Sequence, residues 1–230
     1  MSHASITAAV CAAATAVVVA GGATVVPARA SGTPATTSAA PAATAAFTDI
    51  YFTFDDGPHP TWTPRVLAVL RKYNARATFF MVGQNVVRYP YLLSSVRAYG
   101  HHTSNHTWSH PNLTQLSTAS VTWQLNKTDA AMGSTRRKCV RPPYGATNDR
   151  IRSIISARGQ RQVLWNIDTR DWSRPGTTTI YNRIVYNARP GRIVLMHDGG
   201  GDRSQTVAAL DRALANLRSR GYTFRYIPYC

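Results

Sequence analysis

The chain contains no glutamate. All ten of its acidic side chains are aspartate, and only three of its 26 basic residues are lysine. Any carboxylate chemistry must therefore come from these few aspartates, and the charge is carried mainly by arginine. Cysteine is scarce, with three residues in 230, which excludes a disulfide-dense scaffold. Tight basic runs are nearly absent. Only Arg136-Arg137-Lys138 cluster, and no basic cluster interleaves with aromatics, so the formal charge of +16 is not the signature of a nucleic-acid reader. A long, strongly apolar run is also missing. The stretch 6–26 is rich in Ala and Gly, and Gly21, Gly22 and Pro27 break it, which argues against a membrane span. Cys11 lacks the leucine three residues before it that a lipoprotein anchor needs, and no internal repeat is visible.

What is present suits one globular domain with a substantial core: 44% apolar and 16% charged residues. Residues 1–30 read as an export signal, with Ala28 and Ala30 as the small residues of a cleavage site before Ser31, although the first five residues carry no Lys or Arg. Residues 31–46, rich in Pro, Ala, Ser and Thr, read as a flexible linker, and 47–230 as the folded domain. A secreted or cell-wall location is expected, with a monomer as the working assembly. The basic surface suits an anionic wall polymer. Outside the signal two cysteines remain, Cys139 and Cys230. One disulfide between them is permitted in an oxidising compartment, and two separate thiols are the alternative.

From Asp49 onward, strand and helix signals alternate. Strands are expected at 50–54, 77–82, 139–143, 162–168, 192–197 and 222–227. Helices are expected after a Thr63 cap with Pro64 at the first position, at 89–100, at 116–133 with a Ser117 cap, and at 148–159, 179–191 and 204–221. This order predicts an α/β fold with a parallel sheet, open or closed into a barrel. Reactive groups of such folds gather where strands end. The apolar runs do deliver polar groups there: Asp55-Asp56, Arg141, Asp168 with Asp171 close behind, and His197-Asp198.

Two adjacent carboxylates at a strand end repel one another, and a nearby cation removes the conflict. Neighbouring strand residues point to opposite faces, so one Asp can bind a metal while the other faces a substrate. The run 101–110 holds four histidines, with His102/His106 and His106/His110 each four apart. On a helical turn either pair shares a face and can grip one ion, and spacing alone does not choose between them. Two His and one Asp leave open positions, as in a catalytic site.

The segments Thr53–Pro58, His106–His110, Arg141–Gly145, Asp168–Trp172 and Ile193–His197, in that order, resemble the five motifs of the NodB-type polysaccharide deacetylases, carbohydrate esterase family four. The resemblance spans roughly residues 49 to 227. It implies a distorted (β/α) barrel, often of seven strands, and the hydrolytic removal of acetyl groups from sugars. It also implies one divalent metal, zinc by default with cobalt or nickel as alternatives, held by Asp56, His106 and His110. On the same resemblance Asp55 is the general base and Arg141 pairs with it, while His197 is the general acid and Asp168 orients it. The backbone N–H of Tyr144 meets the oxyanion, and Trp172 and Leu195 wall the acetyl pocket. His102 stands where many relatives carry an acid and is expected to face solvent, with His101 and His59 as ordinary surface histidines.

The expected substrate is an acetylated N-acetylglucosamine polymer, peptidoglycan or chitin-like. An acetylxylan esterase using the same groups is the nearest alternative. A non-catalytic wall-binding protein and a two-histidine-one-carboxylate iron oxygenase are remote alternatives. The last would give Asp55, Arg141 and His197 no clear role.

Overall fold

The structure, a computed structural model, describes residues 48–133 and 138–230. The signal, the linker and part of the Arg136–Lys138 run lie outside the described residues. The chain runs β1 (Asp49–Asp55), α1 (Trp62–Lys72), β2 (Thr78–Met81), α2 (Gly83–Arg88), α3 (Pro90–Ala98), β3 (His102–Asn105), α4 (Thr118–Met132) and β4 (Cys139–Val140). It continues through α5 (Asp149–Ala157), β5 (Arg161–Gln162), β6 (Ile167–Asp168), α6 (Thr177–Asn187), β7 (Ile193–His197), α7 (Ser204–Ser219) and β8 (Thr223–Arg225). Seven strands lie in the order β5-β4-β3-β2-β1-β7-β6, and β8 pairs with β1. Every described pairing is parallel. Strands β5 and β6 end the path without pairing to each other, so the sheet curls as a half-barrel.

Period-two alternation along β1 divides the molecule. Ile50, Phe52 and Phe54 are fully buried in the main cluster with Leu70, Ile184, Leu210 and Leu214 from the helices. Tyr51 joins a second cluster with Phe80, Cys139, Val163, Ile227 and Cys230. Thr53 and Asp55 share Tyr51's phase, so one face of the strand is hydrocarbon and the other becomes polar toward its C-terminal end. The C-terminal tail fills the other end of that face. The N–H of Ile227 donates to Thr78 Oγ1 (3.0 Å), the Tyr226 ring stacks on His102 with centroids 3.5 Å apart, and Cys230 is disulfide-bonded to Cys139. A third cluster seats α4 and α5 through Leu125, Ile151 and Ile155 on Val140.

Several sequence expectations change. The run 162–168 is not one strand. Its ends form β5 and β6 at opposite edges of the sheet, and 163–166 crosses the open side between them. The N–H of Val163 donates to Val140 O (2.9 Å), and that of Asn166 to Ile193 O (2.9 Å). The segment 102–105 is a strand although all four of its residues are polar, because β2 and β4 flank it on both sides. Helix α2 had no clear periodicity in its six residues. Helix α1 begins at Trp62, so Thr63 does not cap it. Its hydroxyl instead donates to Asp198 Oδ2 (2.6 Å). Ser117 does cap α4, accepting from Ser120 N–H. His102 and His101 are buried, not solvent-facing, with the Ala77 N–H donating to His101 Nδ1 (3.2 Å).

Candidate active site

Asp55 closes β1 and Asp56 follows it in the left-handed region (φ 72°), which turns the second carboxylate away from the direction of the first. The turn is held by close backbone packing: a Cβ on Gly199 would lie 2.3 Å from the Asp56 carbonyl oxygen. Asn85 Nδ2 also donates to that carbonyl (2.8 Å).

His106 and His110 do not lie on a helix. His106 continues the phase of His102 and Ser104 along β3, so His102 and His106 share a face but stand about 13 Å apart at strand rise. They cannot chelate one ion. His106 and His110 meet because Thr107 (φ 69°) and His110 (φ 60°) take left-handed conformations that fold the chain back. Asn105 Oδ1 accepts from Thr107 N–H (2.7 Å), and Gln124 Oε1 accepts from the N–H groups of Trp108 (2.8 Å) and Ser109 (3.0 Å). Donor atoms of Asp56, His106 and His110 all lie within 4.8 Å of one another. His106 Nδ1 donates to the Arg141 carbonyl (2.7 Å), which leaves the lone pair of Nε2 toward Asp56 Oδ1, 3.5 Å away. His110 Nδ1 lies 3.2 Å from the Tyr144 hydroxyl, and its Nε2 lies 3.2 Å from the same carboxylate oxygen.

Asp56 Oδ1 is buried without a hydrogen-bond partner, an atom facing two imidazole nitrogens with nothing between them. One carboxylate oxygen and two oriented Nε2 atoms form a donor set that fits a divalent cation of the zinc, cobalt or nickel type. Burial raises the Asp56 carboxyl, but His106, His197 and His110 outweigh it and hold the group below the usual range.

Asp55 lies beside this group, with its Oδ2 3.7 Å from His106 Nε2. Arg141, fully buried, donates from one terminal nitrogen to Asp55 Oδ1 (2.7 Å) and Thr53 Oγ1 (2.8 Å). Its other nitrogens donate to Val163 O (3.3 Å) and Leu164 O (3.0 Å). A single guanidinium thus ties the crossing segment to β1 and immobilises Asp55.

His197, at the end of β7, is oriented by Asp171 and not by Asp168. Asp171 Oδ1 lies 2.6 Å from His197 Nδ1, and its Oδ2 accepts from His197 N–H and Thr206 Oγ1, each at 2.9 Å. Register explains the correction. Asp168 pairs with Leu195, two residues short of His197. The chain then turns at Arg170 (φ 48°) and brings Asp171 beneath the imidazole. Asp168 instead accepts from Arg170 N–H (2.9 Å). Burial lowers the His197 pKa, but the Asp171 charge, helped by Asp55 and Asp56, raises it to about 9. The same pairing holds Asp171 below its usual range against burial.

These groups open into one cleft of about 450 Å³, lined also by Tyr144, Trp165, Asp168, Trp172, Leu195 and Arg203. Trp172 and Tyr144 are largely exposed at its rim and Leu195 is buried in its wall. Trp165 and Arg203 had no sequence signal, since one sits in the crossing segment and the other in a loop. Asp198 was visible only as the neighbour of His197. It is fully buried, and burial raises its carboxyl to about 7 against the Thr63 hydrogen bond.

The polysaccharide deacetylase family pattern matches residues 43–163. The chain is 45% identical over 179 residues to the peptidoglycan-N-acetylglucosamine deacetylase of Bacillus cereus, covering 76% of this chain and 84% of that protein. It is 37% identical over 196 residues to the chitooligosaccharide deacetylase of Azorhizobium caulinodans, covering 79% and 93%. A crystal structure of the Bc1960 peptidoglycan N-acetylglucosamine deacetylase superposes with a TM-score of 0.76 at 32% identity, covering 79% of this chain and 86% of that one. The ordered motifs, the curled parallel sheet and these likenesses together show that the chain belongs to the NodB-type polysaccharide deacetylase family, carbohydrate esterase family four.

Proposed function

We propose that this protein is a secreted, metal-dependent deacetylase that hydrolyses the N-acetyl group of N-acetylglucosamine units in a cell-wall or chitin-like glycan. The observation that carries the reading is the Asp56–His106–His110 donor group set beside an Asp55 that Arg141 holds in place. Relatives named for the same reaction on peptidoglycan and chitooligosaccharides support it. The N-terminal signal pattern supports export, and the Cys139–Cys230 bridge suits an oxidising compartment.

Asp56, His106 and His110 would hold the divalent ion. Bound there, it supplies Lewis acidity toward the acetyl oxygen and toward the attacking water. Asp55 takes the proton of that water. Its reach is limited to one direction by the Arg141 bond. His197, protonated at neutral pH through Asp171, delivers a proton to the departing amine. The two groups together form an acid/base pair. The Tyr144 N–H contributes to the oxyanion, while Leu195, Trp172 and Trp165 bound the space for the acetyl methyl.

Acetate release by the purified protein from peptidoglycan glycan strands, chitooligosaccharides and acetylxylan tests this. Release from the first two, abolished by chelation and restored by zinc, cobalt or nickel, is expected. Asp55→Asn should bind metal normally and lose about a thousandfold or more in kcat/KM, of the order of removing a general base and its orientation. Release from acetylxylan alone would make the protein an esterase, and release from none would leave the wall-binding reading.

A further inference from the structure

Parallel strands put their own starts, and the ends of α1, α3 and α7, on the side of the molecule opposite the cleft. Charge is sorted along this axis. Seven of the ten aspartates stand at strand ends or helix starts on the cleft side, and only Asp49, Asp129 and Asp211 do not. On the far side two adjoining hollows share Asn74 and form one groove. The first, of about 290 Å³, is lined by Arg71, Arg76, Tyr99 and His101. The second, of about 190 Å³, is lined by Arg218, Arg225, Tyr73 and Tyr222. No aspartate lines either hollow. Among the described residues Arg71 and Arg76 have no ion pair, and Arg76 reaches only the carbonyl of Ala75 at 3.5 Å. Arg218 donates to Tyr73 O (2.9 Å), and Arg225 stands 3.9 Å from Asp49. The surplus charge is felt at His101, which is buried and whose pKa is lowered to about 4 by burial first, then by Arg76 and His102. This imidazole is therefore neutral. Its Nδ1 accepts from Ala77 N–H (3.2 Å), so Nε2 carries the proton and is a donor.

Helix ends do not account for this charge. Each helix C-terminus carries about half a negative charge, and Lys72 and Arg97 already stand in the last turns of α1 and α3. Four further guanidinium groups exceed what three such ends neutralise. Their planar forks suit phosphate oxygens held by two bonds. We infer that this groove docks an anionic wall polymer of repeating phosphodiesters, with one phosphate held by Arg71 and Arg76 and another by Arg218 and Arg225. Two arginine pairs on either side of Asn74 fit a chain that carries single charges at intervals. Nucleic acid carries such charges too, but its bases need aromatic platforms. Two of the three tyrosines in the groove already carry a cation over the ring: Lys72 over Tyr73 at 5.0 Å and Arg220 over Tyr222 at 5.3 Å. A polyol-phosphate backbone needs no platform. The choice of a wall polymer rests on the export reading, and docking on this side leaves the opposite cleft free for the glycan.

Calorimetric titration of the purified protein tests this with three probes of equal charge: a synthetic glycerol-phosphate oligomer, a polyglutamate and a single-stranded DNA. The salt is set at about 0.1 M, where exposed charges more than ~10 Å apart are largely screened. The glycerol-phosphate oligomer should bind more tightly than the other two. Arg71→Gln with Arg76→Gln, and separately Arg218→Gln with Arg225→Gln, should each weaken that binding at least fivefold. A control variant with Arg65→Gln, Arg88→Gln, Arg152→Gln and Arg212→Gln, all exposed and outside the groove, should weaken it less than threefold. No binding of the glycerol-phosphate oligomer, equal or tighter binding of DNA or polyglutamate, or a loss in the control variant as large as in the groove variants would each overturn the inference. Acetate release from chitooligosaccharides should be unchanged in both groove variants. Because docking is read without turnover, a protein that binds the oligomer through this groove yet releases no acetate would overturn the deacetylase reading and leave the docking site standing.

Discussion

His197 and Asp171 form a pair whose charges are maintained by each other. The His197 pKa is raised from 6.5 to about 9 against burial, so the fold favours the imidazolium. Its contribution to stability is fully present below pH ~6.5 and is lost as pH rises through about 9. Asp171 is shifted the other way, and its contribution is present above the ordinary carboxylate range and lost on acidification. Activity that needs the imidazolium should decline on the alkaline side in the same window. In Asp171→Asn that limb should move to lower pH, with kcat/KM down about a hundredfold. Asp168→Asn should leave the limb in place, because Asp168 contacts Arg170 N–H and not His197; a shift in pH–rate profiles of the Asp168 variant alone would reverse the assignment. A second residue-scale test separates the histidines. His110→Ala should lose bound metal and activity together. His102→Ala should keep its metal by elemental analysis and lose only about 1–2 kcal/mol of stability, as its ring packs on Tyr226.

At the scale of elements, the loop after β7 and the turn after β1 are a single mechanical unit. Gly199 leaves no room for a side chain against the Asp56 carbonyl, and the Asp198 N–H donates to Asp55 O (3.0 Å). Gly199→Ala should displace Asp56 by a few tenths of an ångström or more, and weaken metal binding at least tenfold in a chelator competition. Thermal unfolding should change little by comparison. This coupling was not legible in the sequence, where Asp56 and Gly199 stand far apart and Gly199 belongs to none of the motifs. The strands with continuous apolar runs, β1, β2 and β7, were legible because burial on the helix side demands hydrocarbon. Strand β3 was not, since its polar residues are satisfied by partners distant in sequence, as when Asn105 Nδ2 donates to Leu125 O and Asp129 Oδ1, each at 2.9 Å. The histidine pair shows the same limit. A four-residue spacing suggested a helix, but the pair is joined by two left-handed residues after a strand.

At the scale of the whole molecule, the half-barrel is left open between β5 and β6, and two devices occupy the opening. Residues 163–166 cross it, pinned by Arg141, and the tail 226–230 fills the far end of the concave face. The Cys139–Cys230 bridge closes a loop with a sequence separation of 91 and joins that tail to the strand that leads into Arg141. Replacing both cysteines with serine should cost about 2–4 kcal/mol, seen as a lower Tm. An unchanged Tm would mean that Ile227 and its neighbours hold the tail without the bond.

The alternation of strands and helices, the presence of a carboxylate–imidazole donor group and the five motifs were determined by the sequence alone, because each depends on residue type within a few positions. Which acid supports His197 and how the run 162–168 divides were decided only by the tertiary structure. Each of these depends on the register between strands distant in sequence, where a shift of two residues moves a carboxylate by about 7 Å, far beyond the reach of a hydrogen bond.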